Sequence, residues 1–176
     1  MDGTSEIKLQ LLNINELLRS PVSLYRKRTL KTDAEEFIVE EAEALPRKVE
    51  INMIVHLASS EVKYKDDIAP AIHRHFCYRR EQSQKKYKRI FQYGWRILFI
   101  ALGLLAVIFS ITEIALHYMS NNKLVLFIRE SFIIFGWVAL WRPLEVLLYD
   151  WYPVKIDINL YHRLEHSHVQ VIINES

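Results

Sequence analysis

The sequence predicts an α-helical membrane hairpin of two transmembrane helices, carrying a small cytoplasmic α/β (α+β) domain formed from both chain ends. Three observations lead there. Residues 97–112 read ILFIALGLLAVIFSIT, sixteen positions without a charge. Seven Lys or Arg side chains crowd the twenty-one positions 76–96 just before them. Two stretches of period-two apolar alternation lie far apart, near residue 50 and at the C-terminal end, and a lone strand needs a partner.

The chain of 176 residues has room for one modest domain plus a few membrane spans. Its near-zero mean hydropathy conceals a split, because the apolar residues concentrate between positions 94 and 152 while the first 93 residues are rich in Glu, Lys and Arg. A formal charge of +2 gives no reason to expect nucleic-acid binding, and the basic cluster is already explained by the adjacent membrane segment. The N-terminus lacks a positive region followed by an apolar stretch, so the first 93 residues are expected to stay where they are made. A single cysteine, Cys77, excludes an internal disulfide and fits a reducing compartment.

Six regions follow. Residues 1–32 form an N-terminal amphipathic helix and basic loop: Ile7, Leu11, Ile14 and Leu18 recur at spacings of four, three and four, Ser20-Pro21 ends the helix, and Tyr25-Arg26-Lys27-Arg28 is a basic loop. Residues 33–93 are a helix-strand-helix region. There Asp33 and Glu36 form a capping pair, and Ala34, Phe37, Ile38, Ala42 and Leu45 share a face before Pro46. Glu35, Glu36, Glu40, Glu41 and Glu43 are expected on the solvated side. Val49, Ile51, Met53, Val55 and Leu57 alternate as a strand, whose best partner is the C-terminal Val169, Val171 and Ile173. A third helix capped by Asp66 or Asp67, with Pro70 in its first turn, runs through the basic collar.

Residues 94–118 are the first transmembrane helix and 119–123 a short external loop. Residues 124–149, LVLFIRESFIIFGWVALWRPLEVLLY, are a second transmembrane or interfacial segment. Trp137, Trp141, Tyr149, Trp151 and Tyr152 mark its headgroup boundary. Residues 150–176 are a cytoplasmic helix and strand. Seven basic residues before the first span against one Lys in the loop place the N-terminus in the cytoplasm, and two crossings return the C-terminus there.

The motif that most resembles chemistry is His162-Arg163-Leu164-Glu165-His166, an H-x-x-E-H pattern in which two His one helical turn apart could hold a metal beside a general base. His162, His166 and His168 are the metal-ligand candidates. With only ten residues following and no cleft-forming domain, a solvated polar helix face is the favoured reading. The imidazoles of His73 and His75 diverge on adjacent helix flanks and cannot readily share a metal. Glu113 and His117, four apart, and Arg142 and Glu145, three apart, are ionisable groups near membrane depth, read first as interfacial anchors. Gly103, with Ala106 and Ser110, and Gly136, with Ala139, offer close helix packing or dimerisation. Pro143 with Arg142 is expected to turn the chain onto an interfacial helix at 144–151.

The block GWVALWRPLE at 136–145, continued by Leu148-Tyr149-Asp150-Trp151-Tyr152-Pro153, resembles a family of uncharacterised two-pass bacterial inner-membrane proteins. AIHRHFCYRR at 71–80 and EEFIVEEAE at 35–43 are similar to further segments of that family. The resemblance implies a bacterial cytoplasmic-membrane location and brings no catalytic residue. The expected function is a non-enzymatic accessory, scaffold or sensor, without cofactors, whose partners are membrane lipids and a protein or a second copy of the chain. The alternatives are a small transporter or channel component using Glu113, Arg142 and Glu145, and a membrane-tethered metal-binding protein or hydrolase.

Overall fold

The structure is a computed structural model and describes residues 5–11, 13–18, 30–47, 49–118 and 123–174. The chain divides into two compact units, residues 1–83 with 156–176, and residues 84–155. The basic loop expected at 25–28 and the Ser20-Pro21 stop lie outside the described residues.

The first unit is built on a three-stranded sheet of β1 (Ser5–Leu11), β2 (Ile51–Ala58) and β3 (His168–Asn174) in the order β1-β2-β3. Both pairings are parallel, with Ile7 opposite Met53 and Val55 opposite Val171. The expected partnership between the strand near residue 50 and the C-terminal strand is therefore formed. The helix expected over residues 5–19 is not. Ile7, Leu9 and Leu11 are buried while Glu6, Lys8 and Gln10 are exposed, an alternation that only a strand produces. The i, i+4, i+7 spacing was real, but Ile14 and Leu18 belong to a separate element. Asn13 accepts a hydrogen bond from the Asn15 amide at 2.9 Å and starts the single turn α1 (Ile14–Leu17).

Parallel strands need crossover connections. The first runs through α2 (Thr32–Ala44), which buries Glu35, Ile38 and Ala42 and leaves Phe37 44% exposed. Ala34, Ile38, Ala42 and Leu45 thus face the core as expected, whereas Phe37 points away and Glu35 is buried in addition. Lys31, rather than an Asp33–Glu36 pair, occupies the N-cap position, and no side chain caps the helix. The second crossover begins with a 3-10 turn (Ser59–Tyr64) and α3 (Lys65–Tyr118), a single helix that runs through the basic collar as expected. It returns through α4 (Lys123–Glu145), a π-helical turn (Val146–Asp150) and α5 (Trp151–Glu165). Met53, Val55, Leu57, Ile68, Ile72, Phe76 and Leu164 are almost completely buried where α3 and α5 cover one face of the sheet.

In the second unit α3 and α4 pack side by side and antiparallel. A Cβ on Gly136 would lie 2.6 Å from a Leu105 methyl, and one on Gly94 would lie 2.7 Å from Leu147 and 3.2 Å from Val146. Gly94 and Gly136 therefore permit the close approach, whereas Gly103 faces open space and takes no part in it. Tyr87 and Phe91 of α3 contact the Trp151 ring at centroid distances of 6.3 Å. The corner expected at Pro143 is absent: the proline lies inside α4, and the helix passes on into the π-helical turn. A π turn beside a proline keeps the chain helical while altering its hydrogen-bond register.

Two helices are long and apolar enough to cross a membrane. Their apolar side chains point outward from the chain, as Ile100 at 64%, Phe127 at 68% and Val138 at 67% exposure show. Their described hydroxyls are satisfied internally: Ser110, Thr112 and Ser131 donate to the carbonyls of Ala106, Ile108 and Phe127 at 2.8 to 2.9 Å. Such back-bonding leaves no unpaired donor on these hydroxyls.

The burial pattern separates the two faces of the sheet. Leu57→Ala, which empties a fully buried site, is expected to cost about 2–5 kcal/mol, whereas Ile172→Ala on the opposite face should stay within about 1 kcal/mol. Denaturant unfolding of the full chain in detergent, followed by hydrogen exchange in β2, measures both; equal losses would refute the one-sided core.

Candidate functional site

The polar groups of the first unit converge on α3, whose successive turns point at different neighbours. His73 Nε2 donates to the Ser167 carbonyl at 2.9 Å, fixing the entry to β3. His75 Nε2 lies 3.0 Å from a Glu35 carboxylate oxygen, and Arg79 Nε donates to the other oxygen of the same carboxylate. The expected divergence of His73 and His75 is observed. Glu35, expected on the solvated side of α2, is instead 7% exposed and joins α2 to α3. A signal for it was available, because Glu35, Ile38 and Ala42 follow the i, i+3, i+7 spacing of one helix face.

Burial pushes the His75 imidazole below its ordinary value of 6.5, with Glu35 opposing that shift and Arg79 adding to it. The hydrogen bond to Glu35 raises the already high value of Arg79, and burial raises that of Tyr161, whose ring stacks on Phe76.

The next residue after Arg79, Arg80, reaches α5. Its Nε lies 3.0 Å from a Glu165 carboxylate oxygen, and its Nη1 lies 3.1 Å from His162 Nδ1. His162, Glu165 and His166 form a group whose ligating atoms all lie within 4.8 Å of one another. The His162 and His166 rings are 4.4 Å apart, and His166 Nδ1 donates to the His162 carbonyl at 2.9 Å. His168, the other metal-ligand candidate, begins β3 outside this group, although it borders a cleft of about 300 Å³ together with His162, Arg163 and His166. Cys77 is half-buried; burial, followed by a hydrogen bond to Glu165, pushes its thiol up from the ordinary value and keeps it protonated. The motif is thus a polar junction between α5 and α3. Arg163, inside it, turns the other way and donates to the Pro46 and Val49 carbonyls at 2.9 and 2.8 Å.

The second face of the sheet is a separate candidate surface. Its rungs are Glu6, Asn52 and His168; then Lys8, Ile54 and Gln170; then Gln10, His56 and Ile172. No described helix covers these positions, and Ile172 is 43% exposed.

The remaining candidates lie in the second unit. Arg142 Nη1 donates to Glu145 at 2.9 Å, and its Nη2 lies 4.0 Å from Asp150, so the expected pair exists and gains a third member. Trp137 and Trp141 are about 70% exposed, as residues of an aromatic belt are. Glu113 borders a small void of about 10 Å³ beside Thr112 and Arg129.

Compared with family models, curated proteins and solved structures, the chain matches none.

The His75 site sets a pH dependence. Its folded-state value lies below the unfolded 6.5, so the folded unit binds fewer protons and loses stability as the pH falls through 6.5 and below. Thermal unfolding from pH 7.5 to 5 should show this loss, and His75→Gln should flatten it. An unchanged slope would refute the assignment. Glu35→Ala, which strands His75 and Arg79, should destabilise by about 1–3 kcal/mol, more than Glu36→Ala on the exposed side.

Proposed function

We propose that the chain is a non-enzymatic, two-pass protein of the bacterial inner membrane with both termini in the cytoplasm. It acts there as an accessory, scaffold or sensor that presents its α/β unit to a protein partner. The observation that carries this reading is the uncovered face of an all-parallel sheet. Parallel sheets almost always bury both faces, and here one is left without a described cover while its central and edge strands contribute Ile54 and Ile172. Mixed apolar and polar character, with Lys8, Gln10 and Gln170 around the aliphatic side chains, suits a protein surface that stays soluble when unbound.

The exposed apolar helices, their back-bonded hydroxyls and the Trp and Tyr belt support the membrane location. The basic collar supports the orientation, and the similar sequence blocks support the bacterial inner membrane. Transport within one chain finds little support: the void beside Glu113 and Arg129 holds about 10 Å³, room for no more than one water.

Photo-crosslinking side chains introduced at Gln10 and Ile172 in intact cells should give one discrete adduct, whereas Glu41 on the exposed side of α2 should give none. Equal labelling at all three positions, or none at any, would sink the partner reading. Ser120→Cys in a Cys77→Ser background should react with an impermeant thiol reagent from outside the cytoplasmic membrane. Protection of that position in correctly inserted protein would contradict the orientation.

A further inference from the structure

We propose that His162, Glu165 and His166 form a binding site for a divalent transition-metal ion of the zinc class, with Arg80 as a built-in competitor for the same lone pairs. The inference does not depend on the protein partner, since it rests on contacts inside the first unit.

A guanidinium carries donors only. The 3.1 Å contact from Arg80 Nη1 therefore makes His162 Nδ1 an acceptor, with its lone pair aimed at the cation. Glu165 directs a carboxylate oxygen at the same guanidinium from 3.0 Å. Two potential ligands from one helix thus already converge on a positive charge. His166 supplies the third. Its Nδ1 donates to the His162 carbonyl, which leaves the Nε2 lone pair for coordination and holds the ring in place, as outer hydrogen bonds do for metal-bound imidazoles.

The spacing is compatible with an ion. The three ligating atoms lie within 4.8 Å of one another, and a tetrahedral zinc with bonds of about 2.0–2.2 Å needs them roughly 3.4 Å apart. Rotation of the Glu165 side chain, only 16% exposed but at the last residue of α5, and of the exposed His166 ring can supply that closure. Imidazole and carboxylate donors select zinc, nickel or copper over calcium or magnesium. Like charges repel, so an ion held by these ligands displaces the Arg80 guanidinium, and binding is weaker by the free energy that Arg80 contributes when it occupies them. His168 lies outside the group and serves as the control.

The full chain in mild detergent is titrated with Zn²⁺ against a chromophoric chelator at pH 7.5, with far-UV circular dichroism reporting the fold. One ion per chain is expected. His162→Gln and His166→Gln should each weaken binding at least about tenfold, and His168→Gln should change it less than about twofold. Arg80→Gln should tighten binding several-fold, an outcome that general misfolding cannot produce. A parent protein that fails to compete with the chelator, or His166→Gln and His168→Gln variants that bind equally well, would overturn the site. Unchanged affinity in Arg80→Gln would overturn the competition.

Discussion

Parallel pairing of β3 beside β2 is the constraint on which the rest of the first unit depends. A strand that returns antiparallel can be joined by a two-residue turn, whereas a parallel one must leave from the far end of its neighbour and re-enter at the near end. Here residues 59–167 make that journey. The apolar helices are therefore an insertion in a crossover connection, and the β-α-β unit is the frame that receives them. The pairing sets Asn52 opposite His168 and Ala58 opposite Asn174.

Closing so long a connection costs roughly 4 kcal/mol as a flexible loop. The second unit removes much of that cost. Tyr87 and Phe91 contact Trp151, and Gly94 receives Val146 and Leu147, so the returning chain already lies beside the outgoing one before α5 goes on. What remains flexible is short. The polar ties of α3 then act on preordered helices. His73 fixes the Ser167 carbonyl, the Glu35 carboxylate receives His75 and Arg79, and Arg80 joins Glu165 and His162. These contacts use four side chains within two turns of one helix. His73 and Arg80, seven residues apart, face α5 and the start of β3 from one side of it, and His75 and Arg79 face α2 from another.

How much of this was legible depended on whether a pattern had one reading or two. The uncharged run at 97–112 had one, and so did the alternation at 51–57 against 169–173; both elements formed where the sequence placed them. Ile7, Leu11, Ile14 and Leu18 fitted a helical stripe, but Ile7, Leu9 and Leu11 fitted a strand equally well. The decision came from β2, which offers Met53 and Val55 as partners 46 positions away in sequence. Glu35 was hidden for a different reason. A carboxylate among five in α2 reads as surface, and its burial is tolerable only because His75 and Arg79 arrive from another helix. The H-x-x-E-H motif was visible, but the residue that gives it meaning, Arg80, lies 82 positions before His162. Local spacing cannot report a long-range counter-charge.

The same topology accounts for the open sheet face. Right-handed crossovers that step the same way along a parallel sheet place their helices on one face. In this chain the crossover after β2 is spent on the apolar helix pair, and its two ends, α3 and α5, return to the face already covered by α2. No described element is left to cross the sheet. The uncovered side chains are then a consequence of the strand order β1-β2-β3, in which both crossovers step the same way. That order leaves Lys8, Ile54, Gln170 and Ile172 available.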